Sequence, residues 1–385
     1  MTKTPKNKIL VTGTAGFIGS HVALRLLNAG ESVIGFDNLN DYYDVELKKA
    51  RLERFRDHPN YIHIHGELAD RGAVEAVFAE HKPGRVVHLA AQAGVRYAAE
   101  NPHVYVSSNV TGTLHILEGC RHHGIDHLVF ASTSSVYGAN EKMPFAESDH
   151  TEHPMSLYAA TKKANEQMAH SYAHLYNIPC TGLRFFTVYG PWGRPDMALF
   201  LFTKAILAGE PIKVFNRGKH KRSFTYIDDI VEGITRILEK PPSAVNEKTK
   251  KPKNQKTAGP DPVASPAFEV PETGNRNPET VAFTEPGTRK PETAGPDPAT
   301  SGVGPYRIYN IGNEQSVELM HYIEVLENCL GKKAEMEMLP LQPGDVPATE
   351  ASMQGLREAI DYSPSVPVEQ GIQNFVDWYR EYYGV

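Results

Sequence analysis

Short apolar runs alternate with segments of helical periodicity over the first half of the chain. The apolar runs are rich in β-branched and aromatic residues and predict strands at Ile9–Val11, Ser32–Phe36, Tyr61–Ile64, Arg85–Leu89, His127–Phe130 and Cys180–Phe185. Segments of helical period lie between most of these runs. Strands that alternate with helices favour an α/β fold, in which helices cover both faces of a doubly wound parallel sheet.

The pattern loosens after Tyr189 into mixed strands, loops and short helices. We therefore predict a mainly Rossmann-type, dinucleotide-binding domain over residues 1–189. A smaller, mixed α/β region over residues 190–240 and 306–385 is predicted to bind mainly the substrate. Ligands of open parallel sheets bind at the carboxyl ends of the strands, so the cleft between the two parts is the expected site.

The composition changes abruptly over residues 241–305. This segment holds 13 of the 28 prolines and has no Leu, Ile, Met, Trp or Tyr. It also repeats Thr-Ala-Gly-Pro-Asp-Pro at Thr257–Pro262 and at Thr293–Pro298. Such a segment cannot bury enough surface to offset the entropy of ordering it, which predicts a disordered Pro-rich insertion. A helix ending near Lys240 and a strand at Tyr306–Ile311 should bring its two ends close together on the surface.

Net charge, cysteines and histidines bear on the partners, the compartment and the metal sites to expect. The 40 basic and 46 acidic residues leave a formal net charge of −6, which favours neither nucleic acid nor an anionic membrane as a partner. Three widely spaced cysteines and the lack of a long apolar stretch predict reduced thiols in a cytoplasmic protein. The histidine pairs His63/His65 and His122/His123 have no accompanying ligand set, so no metal site is predicted.

A glycine-rich turn follows the first strand. The spacing Gly13-x-x-Gly16-x-x-Gly19 lets the backbone turn tightly and approach a pyrophosphate at the start of the next helix. The second strand ends at Asp37, where a carboxylate can accept hydrogen bonds from the hydroxyls of an adenosine ribose. The same carboxylate would repel a 2′-phosphate. This context predicts NAD, rather than NADP, as the cofactor.

Candidate catalytic groups follow the fifth strand. Tyr158-Ala-Ala-Thr-Lys162 opens a predicted helix that runs to about Tyr176, and the i,i+4 spacing places the phenol and the ammonium on one face. A nearby cation favours the phenolate, so Lys162 can assist Tyr158 as a base. Thr133 follows the fifth strand, where its hydroxyl can share a substrate hydroxyl with Tyr158. This order of residues predicts a catalytic group rather than an exposed helix pair.

At these residues the chain resembles the extended short-chain dehydrogenase/reductases, and within them the UDP-glucuronate 4-epimerases. The resemblance covers nearly all of the chain outside residues 241–305, and its motifs are Asp37–Asp44, Gln92–Tyr97, Arg184–Met197, Arg222–Asp229 and Gln342–Val346. Related dehydratases carry an Asp and a Glu after the catalytic Thr, whereas this chain has Ser134 and Ser135. The resemblance therefore implies epimerisation, by oxidation and reduction at one carbon.

The predicted binding residues combine the fold argument with this resemblance. The NAD-binding set is Gly13, Gly16, Phe17, Ile18, Gly19, Asp37, Asn38, Glu67, Leu68, Leu89, Ala90, Ala91, Gln92 and Asn109, together with Tyr158 and Lys162. Glu67 stands where the family usually carries Asp. The substrate-binding set is Arg96, Ser134, Ser135, Thr187, Arg194, Arg222 and Asp345. Of these, Arg194 is the expected cation for a sugar carboxylate, and the resemblance assigns Arg222 to phosphate and Asp345 to ribose of the UDP.

The resemblance implies inversion at C4 of a UDP-hexuronic acid, from UDP-glucuronate to UDP-galacturonate, through a transient 4-keto sugar. Three enzymatic alternatives stay open: a UDP-glucose or UDP-N-acetylglucosamine 4-epimerase, and a UDP-glucuronate decarboxylase. A non-catalytic NAD-binding regulator is a further alternative, and a scaffold role of the insertion could coexist with catalysis. The helical segments Ser108–Cys120 and Asn165–Tyr176 resemble those through which the family forms homodimers.

Overall fold

The structure of this protein is a computed structural model that describes residues 8–244, 304–342 and 345–385. Most of the predicted disordered insertion, residues 241–305, therefore lies outside the described residues. The helix before it ends at Leu238, and the strand after it spans Tyr306–Ile311, both close to the predicted bounds.

The described residues on the two sides of the insertion lie at one edge of the fold. Nδ1 of His127 is hydrogen-bonded to the Leu238 carbonyl, 3.0 Å away, and the Cys180 amide donates to the Pro305 carbonyl over 2.9 Å. His127 and Cys180 are the first residues of two neighbouring parallel strands. Both sides of the insertion are thus attached at the amino-terminal edge of the sheet.

One parallel sheet organises the described chain. Its seven strands are β1 (Ile9–Thr12), β2 (Val33–Asp37), β3 (Tyr61–His65), β4 (Arg85–His88), β5 (His127–Thr133), β6 (Cys180–Phe185) and β11 (Tyr306–Ile311). Their order across the sheet is β3, β2, β1, β4, β5, β6, β11. All six predicted strands are present, with bounds that differ by at most three residues.

Helices cover both faces of this sheet. Side chains alternate along β1, so that Ile9 and Val11 belong to one apolar core and Leu10 to the other. The first core is closed by α1 (Phe17–Asn28) and α9 (Ile227–Leu238), and the second by α3 (Arg71–His81), α6 (Gly112–His123) and α7 (Leu157–Tyr176). The predicted doubly wound α/β fold is confirmed.

Further helices and strands lie outside the large sheet and the helices named above. The helices are α2 (Val45–Glu53), α4 (Tyr97–Glu100), α5 (Pro102–Tyr105), α8 (Ala198–Ala208), α10 (Leu319–Leu330), α11 (Gln354–Ile360) and α12 (Val368–Tyr383), with a π-helical turn at Val106–Thr111. The strands are β7 (Thr187–Tyr189), β8 (Ile212–Val214), β9 (Lys221–Arg222), β10 (Phe224–Tyr226), β12 (Val317–Glu318) and β13 (Met336–Met338). None of the helices in the described ranges is both long and apolar enough to cross a bilayer.

The later residues do not all stand apart from the large sheet. β11 extends the sheet beside β6, and α9 packs on α1 and β5. The remaining strands pair two by two, as β7 with β10, β8 with β13 and β9 with β12. The assignment of substrate binding to residues 190–240 and 306–385 stays a prediction.

A buried ion pair fastens α7 to the middle of the sheet. Glu166 of α7 accepts hydrogen bonds from Nε and Nη2 of Arg184 on β6, at 2.8 and 2.9 Å, and from the Ser132 hydroxyl on β5, at 2.6 Å. Burial alone would raise the pKa of Glu166, but the hydrogen bonds and positive charge of Arg184 outweigh burial, and the pKa lies below its ordinary value. The pair sets the position of α7 on the two strands.

Replacing Glu166 with Ala should lower the free energy of unfolding by about 3 to 5 kcal/mol, because it leaves the buried Arg184 guanidinium without its carboxylate. Urea denaturation followed by circular dichroism measures the change. The control is Glu75→Ala, which removes an exposed partner of Arg71 and should cost less than about 0.5 kcal/mol. Equal effects of the two substitutions would contradict this role of Glu166.

Candidate active site

A cavity of about 480 Å³ opens at the carboxyl-terminal edge of the large sheet. The in-register pairs of Thr12 with Phe36 and His88, and of Thr133 with Phe185, place these strand ends on one edge. The predicted residues on the cavity wall are Gly13, Gly16, Phe17, Ile18, Gly19, Asp37, Asn38, Glu67, Leu68, Leu89, Ala90, Ala91, Gln92, Thr133, Ser134, Ser135, Tyr158, Lys162, Thr187, Arg194 and Asp345. Arg96, Asn109 and Arg222 were also predicted but do not line this wall.

The glycine-rich turn has the shape that a pyrophosphate needs. Gly13 has a φ of +80°, and a Cβ atom on Gly19 would lie 1.9 Å from the Gly13 carbonyl oxygen, so a side chain is excluded there. Gly16 caps the first turn of α1 without a side-chain hydrogen bond. The amide groups at this helix start therefore remain free of a capping side chain, and the residues fit the phosphate groups of NAD.

Two backbone amides fix the carboxylate of Asp37 at the end of β2. Its Oδ2 accepts a hydrogen bond from the Ala15 amide at 3.0 Å, and its Oδ1 accepts one from the Leu39 amide at 2.9 Å. Each carboxylate oxygen keeps a lone pair for a ribose hydroxyl. Beside it, Nδ2 of Asn38 donates to Oε2 of Glu67 at 2.6 Å. This geometry fits the adenosine half of NAD.

The three predicted catalytic residues share one part of the wall. Thr133 ends β5, while Tyr158 and Lys162 stand one turn apart on α7. The helix begins after Ser156, whose hydroxyl accepts the Ala159 amide at 3.1 Å, and this cap fixes the first turn that carries Tyr158. Phenol, ammonium and threonine hydroxyl thus face the same cavity.

Burial shifts the acid–base behaviour of this group. Burial lowers the pKa of Lys162 to about 8, and its ammonium donates to the Ala131 carbonyl at 3.0 Å. Burial also raises the pKa of Tyr158, and this rise is opposed by the positive charge of Arg194 and by a hydrogen bond with Thr133. Arg194 therefore favours the Tyr158 phenolate in this structure, and the assistance expected from Lys162 stays a prediction.

Asn109 supports the cavity from behind its wall. Its Oδ1 accepts from the Gln92 amide at 2.8 Å, and its Nδ2 donates to the Gln92 carbonyl and to the Thr161 hydroxyl. These hydrogen bonds are made within the chain, so Asn109 positions Gln92 in this structure and does not reach the cavity. Its predicted contact with NAD stays a prediction.

The predicted cations of the substrate side already have partners. Nε and Nη2 of Arg194 pair with Asp196 at 3.0 and 2.5 Å, and the Tyr42 hydroxyl donates to the same carboxylate at 3.1 Å. The Arg222 guanidinium lies outside the wall and donates to Asp345 at 2.9 Å. An anionic ligand beside Arg194 or Arg222 would therefore meet an ion pair.

Arg96 is turned toward a different neighbour. Its guanidinium carbon lies 5.0 Å from the centroid of the Phe215 ring, a cation–π contact away from the cavity wall. Its predicted role in binding substrate therefore has no support from this arrangement of the chain, and it stays a prediction.

Arg51 is a structural residue of the site that the sequence analysis missed. Its fully buried guanidinium donates to the Ala15 carbonyl, in the glycine-rich turn, and to the Trp192 and Gly193 carbonyls, just before Arg194, each at 3.0 Å. A further hydrogen bond of 2.7 Å reaches the Tyr43 hydroxyl. Arg51 thus ties the cofactor side of the cavity to the loop that carries Arg194.

Tyr42, Tyr43 and Lys48 also line the cavity without having been predicted. For Lys48, one sequence pattern could have indicated burial. On α2, the charged Lys48 and Arg51 share a helix face with the buried Leu47 and Leu52. A helix face that mixes charges with apolar residues is ordinary on a protein surface. The sequence alone could not show that this face is buried.

The chain is similar to a known family and to named members of it. The profile of the NAD dependent epimerase/dehydratase family matches residues 9–249. The probable UDP-glucuronate 4-epimerase of Rhizobium meliloti strain 1021 is 44% identical over 379 residues, which cover 98% of each chain. UDP-glucuronate 4-epimerase 1 of Arabidopsis thaliana is 41% identical, over 98% of this chain and 77% of the plant protein.

A solved structure has a similar fold. The UDP-glucuronic acid 4-epimerase from Bacillus cereus, crystallised with UDP-glucuronic acid and NAD, superposes with a TM-score of 0.77 at 28% identity. The match covers 98% of this chain and 100% of the Bacillus cereus chain.

Replacing Arg194 with Met should raise the pKa of Tyr158 further, because the nearby positive charge that favours the phenolate is lost. The titration can be followed by NMR of tyrosine labelled with ¹³C at Cζ, with the Tyr158 signal identified through Tyr158→Phe. As a control, Arg71→Met, at an exposed position of α3, should leave that titration unchanged. An unchanged or lowered Tyr158 pKa in Arg194→Met would argue against this electrostatic link.

Proposed function

The chain belongs to the NAD dependent epimerase/dehydratase family, and from this premise we propose that it inverts C4 of a UDP-hexuronic acid, converting UDP-glucuronate to UDP-galacturonate. One observation carries the proposal: Thr133, Tyr158 and Lys162 line the same cavity as Asp37. A dinucleotide bound along that cavity would extend from Asp37 toward the catalytic group.

The residues fit an oxidation and a reduction at one carbon. Tyr158 accepts the proton of the C4 hydroxyl as phenolate, and the Thr133 hydroxyl orients that sugar hydroxyl. NAD, when bound, supplies the hydride acceptor and donor for C4. The 4-keto sugar turns about the bonds to its diphosphate, so that the returning hydride would reach the opposite face of C4, and Tyr158 returns the proton to the C4 oxygen. The substrate and the product then differ only in configuration at C4.

A uronic acid imposes a second requirement on the site. Its 4-keto form is a β-keto acid, which loses carbon dioxide when the bond from C5 to the carboxylate aligns with the carbonyl π system. Ser134, Ser135 and Thr187 present small hydroxyl groups on the same wall. We infer that they hold the carboxylate out of this alignment, with Arg194 as its cationic neighbour.

The remaining finer assignments are part of the same proposal. Residues 190–240 and 306–385 supply the substrate side, which is supported by Arg194 and Asp345 on the wall. The cysteines are unpaired, in agreement with a cytoplasmic location that cell fractionation would test.

A homodimer is supported by exposed apolar side chains on α6 and α7, namely Leu114, Leu157, Leu175 and Tyr176. Sedimentation equilibrium of the purified chain would test that assembly.

The first test is to incubate the purified protein with UDP-glucuronate, without added cofactor, and to follow the products by NMR. We expect UDP-galacturonate to form with NAD carried through purification. Conversion of UDP-glucose instead, or release of carbon dioxide, would reassign the protein to a neutral-sugar epimerase or a decarboxylase. No turnover of any of these substrates, even with NAD added, would favour a non-catalytic regulator.

Replacing Thr187 with Ala should release a UDP-pentose by-product and slow epimerisation by about tenfold, because one hydrogen bond to the carboxylate is lost. NMR of the same reaction separates the pentose from the hexuronic acids. Thr187→Ser is the matched control, since it keeps the hydroxyl group and should keep both rate and product. If Thr187→Ala formed no pentose, the proposed control of the carboxylate would be wrong.

A further inference from the structure

His220 is a buried histidine on the substrate side that the proposed reaction does not use. It stands directly before β9. Its Nδ1 lies 3.3 Å from the Pro347 carbonyl oxygen, and its Nε2 lies 3.5 Å from Oδ2 of Asp345. A carbonyl oxygen only accepts hydrogen bonds, so Nδ1 carries the proton of the neutral ring. The lone pair of Nε2 then faces a carboxylate, and protonation of Nε2 turns this contact into an ion pair.

Asp345 is a carboxylate that His220 shares with Arg222. Nη2 of Arg222 donates to Oδ1 of Asp345 at 2.9 Å, and Nη1 donates to the Pro347 carbonyl at 3.0 Å. His220 and Arg222 therefore contact the same carboxylate, one at each oxygen, and the same backbone carbonyl. Asp345 lines the cavity, whereas neither His220 nor Arg222 lies on its wall.

The pairing of Arg222 with Asp345 disfavours a charge on His220. Burial and the positive charge of Arg222 lower the pKa of His220 below its ordinary value, against the opposing charge of Asp345. His220 is therefore mainly neutral at pH 7 while the pair is closed. Nearby charged side chains on β9, β12, the first turn of α10 and the turn before β9 are exposed, namely Lys219, Lys221, Glu318 and His321.

A bound UDP-sugar would reverse this balance. In the UDP assignment made above, Arg222 takes the phosphate and Asp345 the ribose. The doubly negative diphosphate would then draw the guanidinium away from Asp345 and offset its positive charge. The Asp345 carboxylate would keep ribose hydroxyls as partners and His220 as the neighbour that can become a cation. Both changes raise the pKa of His220, so the ring gains a proton.

We propose that His220 is a positioning residue for the UDP group, whose Nε2 takes up a proton on binding and holds Asp345 while Arg222 turns to the diphosphate. The proposal rests on the UDP-sugar assignment but not on which sugar is converted. A histidine that only holds the Pro347 carbonyl would have no need of this proton, because Nδ1–H makes that hydrogen bond in the neutral ring.

The test uses two substitutions that each keep one half of the ring's hydrogen bonding. In His220→Asn the amide stands in for Nδ1 and keeps the contact with Pro347 but not that with Asp345. In His220→Gln the amide stands in for Nε2 and offers Asp345 an uncharged N–H. His321→Asn is the control, because His321 is exposed and lies 3.2 Å from the Glu369 carboxylate, a histidine–carboxylate pair outside the site.

The probe is UDP-glucose, because its diphosphate, unlike the terminal phosphate of UDP, does not titrate near neutral pH. Each full-length protein with NAD bound is titrated by isothermal calorimetry in two buffers of different ionisation enthalpy, which counts the protons taken up. NMR of ¹⁵N-labelled histidine follows the His220 ring itself, with its signal identified through His220→Gln. Lys162 also titrates near pH 8, so the difference between the unaltered protein and His220→Asn is the quantity compared.

For the unaltered protein we expect uptake of about half a proton or more at pH 7, and an affinity that rises about tenfold from pH 8 to pH 6. The sign follows because the pKa of His220 is higher in the complex, so that lower pH favours the complex. His220→Asn should lose this uptake, binding about tenfold more weakly at pH 6 and equally well at pH 8. His220→Gln should also lose the uptake but bind at pH 8 at least as well as the unaltered protein. His321→Asn should match the unaltered protein throughout.

Three results would overturn the proposal. Proton uptake that persists in His220→Asn would come from another group, and a His220 ring already protonated at pH 7 without ligand would have no proton to gain. Binding that is weaker by the same factor at every pH would show a structural role. If His220→Asn did not fold, the NMR titration of the unaltered protein decides, since a His220 pKa unmoved by UDP-glucose refutes the proposal.

Failure of the sugar assignment would be visible separately. Binding of UDP-glucose with proton uptake through His220, but without turnover of UDP-glucuronate, would contradict the epimerase assignment and support the role of His220. Absence of UDP-glucose binding in all of these proteins would refute the UDP site at Arg222 and Asp345, and the role of His220 with it.

Discussion

Parallel pairing of the strands is the constraint on which the site depends. Because β1, β2, β4, β5 and β6 run in one direction and in register, their carboxyl ends meet at one edge of the sheet. Asp37 and Thr133 are the last residues of two of these strands. The turn after each strand then needs only a few residues to reach the cavity. The predicted cofactor-binding and catalytic residues therefore lie along that edge.

The helix that carries Tyr158 and Lys162 has its position set by charge as well as by apolar packing. Glu166 lies one turn beyond Lys162 and reaches both β5 and β6 through Ser132 and Arg184. A carboxylate that accepts three hydrogen bonds in the interior tolerates little displacement. The position of the catalytic side chains is therefore set in part by this hydrogen-bond network, in which Ser132 also lines the cavity.

Buried cations in this protein are compensated in three different ways. Arg184 has a carboxylate partner, Arg51 is satisfied by carbonyl and hydroxyl oxygens, and Lys48 has two neutral acceptors and a place on the cavity wall. The first two arrangements are complete within the chain. Lys48 has no ion-pair partner among the described residues, but the charge of Asp37 opposes the lowering of its pKa by burial.

The sequence alone determined those features that belong to one segment of chain. Strand bounds, the glycine-rich turn, the carboxylate that ends β2 and the common helix face of Tyr158 and Lys162 follow from local spacing, because the periods of strand and helix are properties of consecutive residues. A resemblance to known motifs added the candidate reaction. Local signals and the resemblance together located most of the residues that line the cavity.

Only the tertiary structure decided which distant groups meet. Arg51 joins carbonyls that are 36, 141 and 142 residues away, Asn109 is used to position Gln92, and the Tyr42 hydroxyl donates to Asp196, 154 residues away. The place of β11 beside β6 was likewise not readable from its own residues. A charged or amide side chain has the same local pattern whether it faces water or a buried carbonyl. Its partner is set by how separate elements pack, and that packing is not encoded in the spacing of neighbouring residues.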